Sequence, residues 1–132
     1  MKKYLLCLNL AAGIALALVP FVLFPVCGTL KPDGTPMGCH YSGIFITCAG
    51  ILVAILILIN KFTILYAVCS IVAAGLCWLV PNKIIVVGMC GLCSNPEHAC
   101  RSATMSAVIV IAAVIIVSST ALLVMRLVTG RN

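Results

Sequence analysis

Along the chain, long apolar stretches alternate with short polar ones. Four runs, residues 4–26, 43–59, 62–80 and 104–125, are almost free of charge. Each approaches the roughly 20 residues that carry a helix across about 30 Å of hydrocarbon. Hydrocarbon offers a bare amide no partner, so a run of this length crosses it as a helix. The period-two alternation of a membrane β-barrel strand is missing. The pattern predicts four helices over those ranges, the second being the shortest, with ends that borrow flanking residues. Polar loops 27–42 and 81–103 join the first helix to the second and the third to the fourth. Between the second and third, Asn60-Lys61 leaves room only for a tight antiparallel hairpin. Lys2 and Lys3 give the first run a basic start, but its apolar stretch exceeds the roughly 7–15 residues of a secretion-signal core. It is read as a retained helix.

Composition strengthens this reading. The 132 residues are 64% hydrophobic and 8% charged, where a soluble domain has about 45–50% and about 25%. The expectation is a single-domain (1–132), all-α integral membrane protein of four transmembrane helices, with membrane lipid as its first partner. Basic residues orient it. With the N-terminus inside, Lys2, Lys3, Lys61, Arg126 and Arg131 are cytoplasmic, whereas Lys31, Lys83 and Arg101 are outside, in the sense of the positive-inside rule. Both termini are then inside and both long loops outside. The net charge of +6 includes no basic patch long enough for nucleic acid. Its inner share serves topology and anionic lipid.

The nine cysteines divide in the same way. Cys7, Cys48, Cys69 and Cys77 fall within apolar helices, where a thiol acts as a small hydrophobe. Cys27, Cys39, Cys90, Cys93 and Cys100 fall in or beside the outer loops, as expected where thiols oxidise. Two disulfides among these five leave one over, and several pairings stay open. The loops also resemble one another. FPVCGTLKPDGTPMGCHYSG and VVGMCGLCSNPEHACRSAT each place a cysteine after one helix and another just before the next. Two helical hairpins that both start inside form a parallel repeat about an axis along the membrane normal.

The residues Phe24-x-x-Cys27, Met37-x-Cys39-His40, Gly88-x-Cys90 and Cys100-Arg101 resemble the pattern of the family designated DUF4418. That family comprises small four-helix membrane proteins of bacteria and archaea. The resemblance spans nearly the whole chain and implies a bacterial or archaeal cytoplasmic membrane. It also implies association with ABC transporters whose permeases have large ectodomains. In that pattern a histidine often follows the fourth cysteine; here Arg101 takes its place and His98 precedes Cys100.

Three chemistries compete for the outer loops. Cys90-Gly-Leu-Cys93 is a C-x-x-C, the spacing at which two thiols close a small ring and lower each other's pKa. On a four-helix membrane scaffold it resembles the layout of vitamin K epoxide reductase and disulfide-bond formation protein B, which pass electrons from thiols to a quinone. His40 and His98, the only histidines, lie beside cysteines and are candidate ligands for a metal or haem. Met37, Met89 and Met105 near the same surface suit Cu(I), which prefers soft donors. The C-x-x-C-H haem attachment motif is absent, because Ser94 follows Cys93. The third reading is structural. Disulfides among Cys27, Cys39, Cys90 and Cys100 staple a cap on an accessory subunit of a larger membrane partner or a homo-oligomer, while Gly13/Ala17, Ala11/Ala15 and Ser70/Ala74 permit close helix contact within or between chains.

The third needs the fewest coincidences, and what is missing speaks against a stand-alone pump or secondary transporter. Asp33 and Glu97, the only acids, lie in loops, and no predicted helix interior contains a charge of the kind that marks an ion path. There is no phosphate-binding glycine loop. Asn9, Ser118, Ser119 and Thr120 are expected to make local or interhelical hydrogen bonds. Pro20 and Pro25 are expected to kink or end helix one. Trp78 and Tyr41 suit the outer interface, Tyr4 and Tyr66 the inner. The reading is an accessory subunit of an ABC-type exporter rather than an enzyme. The alternatives are a quinone-linked thiol–disulfide oxidoreductase using Cys90 and Cys93, or a metal- or haem-binding protein using His40.

Overall fold

The computed structural model describes residues 2–26, 31–59, 63–82, 91 and 100–130. Among them are four α-helices and no strand: α1 (Lys2–Leu18), α2 (Gly38–Ile59), α3 (Thr63–Leu79) and α4 (Met105–Thr129). A π-helical turn, Val19–Leu23, extends α1, and another, Cys100–Thr104, leads into α4. Three segments are long and apolar enough to cross a membrane: Lys3–Leu23, Gly38–Ile59 and Arg101–Thr129. α3 has 17 residues, or about 26 Å at 1.5 Å per residue, and is the short member.

Each helix packs on two neighbours, closing a ring in the order α1, α2, α3, α4, with α1/α2 and α3/α4 the most intimate pairs. α1 and α4 run antiparallel. Ser118 reaches Asn9 near one end, and Thr104 reaches Phe24 at the other. Both described chain ends therefore lie at the end opposite the loops.

Burial is the reverse of a soluble protein's. Leu58 is 72% exposed and Val117 69%, as are many other large aliphatic side chains on the outer faces, whereas Asn9, Ser42, Ser70, Thr104, Ser118 and Ser119 are buried. In water this surface would aggregate; in hydrocarbon it costs nothing, and polar groups turn inward to find partners. This is a multi-pass membrane protein.

Two boundaries differ from expectation. α2 begins at Gly38, so Cys39 and His40, expected in an outer loop, lie in its first turn. Within that start, Ser42 bonds the Gly38 carbonyl four residues back at 3.1 Å. Beginning this early, α2, expected to be the shortest helix, spans 22 residues against 17 each for α1 and α3. Tyr66, expected at the inner interface, is instead only 3% exposed in the core, beside Ser70 and Ser119.

Pro20 shapes the exit from α1. It has no N–H to offer and widens the ladder: Phe24 donates to the Val19 carbonyl at 2.9 Å and Val26 to Pro20 at 2.8 Å. At the far end of α4, Gly130 closes the last turn on the Arg126 carbonyl at 2.9 Å, and the Arg126 cation suits the helix's negative pole.

Candidate functional site

The loop end gathers what the described residues offer of the expected site. Cys39 is buried in the first turn of α2. The next residue, His40, is half-buried between two rings. Its imidazole meets Phe21 edge-on at 5.8 Å and Tyr41 at 6.1 Å. Phe21 reaches it because the π-helical turn at Pro20 swings that residue toward α2. Gly43 makes the approach possible, since a Cβ there would stand 3.1 Å from Val26 and 3.3 Å from Phe21 and Pro20.

Hydrogen bonds sew this end together. Gly91, the residue after Cys90, donates its N–H to the Ser42 hydroxyl at 2.9 Å and to the Gly38 carbonyl at 3.3 Å. The Ser42 hydroxyl also lies 3.3 Å from the Gly91 carbonyl. The middle of the Cys90–Cys93 motif is thus held against the turn that carries Cys39. Across the ring, the Thr104 hydroxyl donates to the Phe24 carbonyl at 2.8 Å, tying the two π-helical turns. Neither stitch was foreseen from the sequence. Their one signal was a small polar residue at the apolar margin of each loop.

The first loop's tip is a turn built by Lys31-Pro32-Asp33-Gly34-Thr35. Gly34 takes φ +79°, the left-handed region glycine enters without penalty. Its N–H bonds the Lys31 carbonyl at 2.8 Å. The Asp33 carboxylate accepts from the Thr35 hydroxyl at 2.7 Å and the Thr35 N–H at 3.1 Å. Those two bonds, then the nearby Lys31 charge, hold this carboxyl below its ordinary range.

Of the other expected site residues, Cys27, Cys90, Cys93 and His98 lie outside the described residues, as does the Cys100 side chain. Cys7, Cys48, Cys69 and Cys77 are free thiols, and no disulfide joins two described cysteines. Among the described residues no three histidine, cysteine or acidic side chains group as metal ligands.

The bundle interior has its own chemistry. The expected hydrogen bonds form at Ser118, which donates to Asn9 across the α1/α4 seam at 2.6 Å, and at Thr120, which bonds the Ile116 carbonyl at 2.7 Å. Ser119 lies beside Tyr66 and Ser70 in the core, and the Asn9 amide nitrogen is buried without a hydrogen-bond partner. Outside the Asn9–Ser118 pair, an apolar groove of about 350 Å³ runs between α1 and α4 along Leu5, Leu8, Val117 and Ala121. It opens toward lipid. Among the described residues, no buried side chain is charged.

A family model matches residues 9–125, and its description is Domain of unknown function (DUF4418). No curated protein and no solved structure matches the chain.

Proposed function

The chain belongs to the DUF4418 family, and on that premise we propose that it is a small accessory subunit of a larger membrane assembly. Its place is the cytoplasmic membrane of a bacterium or archaeon, with both termini inside and the cysteine loops outside. There Cys27, Cys39, Cys90 and Cys100 pair to staple a cap, and the partner is an ABC-type exporter. The observation that carries this reading is the character of the interior. Among the described residues the buried polar side chains are hydroxyls and one amide, none of them charged. Such an interior lacks the charged groups that mark an ion or proton path, which favours its cap and its outer faces as working surfaces. The stitched cap supports the same reading, since Gly91 and Thr104 bring loop and helix ends into one fixed arrangement.

One observation favours a second reading. Gly91 sits inside Cys90-x-x-Cys93, and its backbone is held at the turn carrying Cys39, which suits thiol exchange among these cysteines. In that reading two substrate thiols lose two electrons and two protons, become a disulfide, and reduce a Cys90–Cys93 disulfide to the dithiol. A quinone then reoxidises the dithiol and leaves as quinol.

Purification from native membrane in mild detergent, with thiols alkylated at lysis, separates the two. The accessory reading expects a stoichiometric complex with an ABC permease. In non-reducing peptide maps Cys27, Cys39, Cys90 and Cys100 are paired and Cys93 is alkylated. A chain that purifies alone overturns it. So does a Cys90–Cys93 pair that alternates between oxidised and reduced, and that outcome establishes the oxidoreductase.

A further inference from the structure

On its outer side the seam between α1 and α4 stays open. The groove of about 350 Å³ there lies between Leu5 and Leu8 on one helix and Val114, Val117 and Ala121 on the other. Ala113 and Ala121 are the small residues that hollow its α4 wall. Ser118, the polar residue of the lining, turns its hydroxyl to Asn9 and to the Val114 carbonyl, so the wall offers hydrocarbon alone. From Ala113 to Ala121 α4 rises about 12 Å at 1.5 Å per residue, which fits within one leaflet of a core about 30 Å thick. Leu5 is one turn from the start of α1, so the leaflet is the one at the end of the bundle that carries both described chain ends. That end is basic. Lys3 and Arg126 are exposed there, about 3 Å along the axis beyond Leu5 and about 8 Å beyond Ala121. The chain's only acids, Asp33 and Glu97, belong to the segments that join α1 to α2 and α3 to α4.

We propose that the α1/α4 groove is a binding site for an anionic phospholipid, with an acyl chain along Leu5, Leu8, Val117 and Ala121 and the phosphate at the level of Lys3 and Arg126. Charge complementarity selects the occupant. Basic side chains at a membrane surface attract anionic lipid, and long ones reach headgroup level while their stems lie on apolar surface. Phosphatidylglycerol brings an unbalanced phosphate charge to them, whereas phosphatidylcholine carries its own cation. A quinone would fill the apolar wall and leave both cations without a counter-charge. A second copy fits less well. Copies inserted in the same sense stand side by side with their basic ends level, so like charges would meet at the groove's mouth. The lipid's acyl chain instead closes the seam on the side where the Asn9–Ser118 pair is covered by apolar side chains alone.

The test reconstitutes the full chain in phosphatidylcholine bilayers containing a trace of spin-labelled phosphatidylglycerol or spin-labelled phosphatidylcholine. Electron paramagnetic resonance then measures how much of each the protein immobilises. Phosphatidylglycerol is expected to associate several-fold more strongly; equal association overturns the proposal. Ala121→Phe fills the hollow and keeps both cations, and most of the preference should disappear. If it persists undiminished, the attraction belongs to the charged surface and not to the groove, which also overturns the proposal. Lys3→Gln combined with Arg126→Gln keeps the groove and should lower the preference several-fold; an unchanged preference is a third contrary result. Sedimentation equilibrium in detergent addresses the remaining occupant. A dimer that Ala121→Phe converts to monomer shows a second copy in the groove and overturns the lipid site, whereas a sedimentation profile indifferent to that substitution agrees with it.

Discussion

The two halves of the bundle share a plan, and they hold together by different means. In the first half, α1 and α2 meet backbone to backbone. A Cβ at Gly50 would lie 2.5 Å from the Ala17 nitrogen and 2.8 Å from the Gly13 carbonyl oxygen, and one at Gly13 would lie 3.2 Å from Val53. Thr47 adds a hydroxyl bond to the Ala17 carbonyl at 3.1 Å. The second half buries alanines and hydroxyls instead: Ala67, Ser70, Ala74 and Tyr66 on α3, Ala112 and Ser119 on α4. Gly75 is the second half's glycine within a helix, and a Cβ there would meet nothing within 4 Å. Without a hydrophobic force between helices in lipid, association rests on close packing and on polar contacts. Each half leans on one of these more than the other.

The sharpest way to break the contrast is Gly50→Ala. The added methyl meets backbone, which cannot rotate away, so α1 and α2 must part. A loss of about 1–3 kcal/mol is expected in reversible unfolding in detergent–lipid micelles, and an unchanged stability would mean that the α1/α2 seam is looser than its geometry implies. Next is Ser118→Ala, which removes the Asn9 bond across α1/α4. Interhelical hydrogen bonds in membranes average ~0.6 kcal/mol with a ceiling near ~1.7, and the loss should fall toward the upper part because the Asn9 amide is left buried. Gly75→Ala should move in the opposite direction to Gly50→Ala, gaining up to about 1 kcal/mol from helix propensity alone; a loss there would show that α3 has a close neighbour at Gly75.

The smallest effect concerns the loop tip. Because Asp33 titrates below its ordinary value in the folded turn, its contribution is complete above about pH 3.9, the unfolded carboxylate value. It is lost as pH falls through the lowered folded value. Amide exchange at Thr35 should therefore quicken only in acid, and Asp33→Asn should remove that pH dependence.

Some of this was legible from residue order. The long apolar runs declared helices, Gly13/Ala17 declared a close seam, and Ser70/Ala74 fell on a buried face. Ala11/Ala15, with the same spacing, makes no seam within the bundle: Ala11 is exposed and Ala15 half-buried. Spacing marks a smooth helix face without saying which face turns inward. At the candidate site, the Cys/His motif was visible, but the turn that organises it was not. Gly91 and Ser42 are 49 residues apart, and nothing in either neighbourhood anticipates the other.

The sequence by itself determined the solvent and the element type, because a chain that is 64% hydrophobic can satisfy its backbone in lipid only by forming helices. It also marked Pro20 as a place where the first helix's ladder must change, since proline withholds an N–H whatever surrounds it. Tertiary structure decided which polar groups meet. Tyr66 could have faced the membrane boundary, and Ser119 could have bonded its own helix as Ser118 does. Their common burial depends on how α3 and α4 are rotated against each other, a choice made by packing over the whole ring of helices rather than by any local stretch of residues.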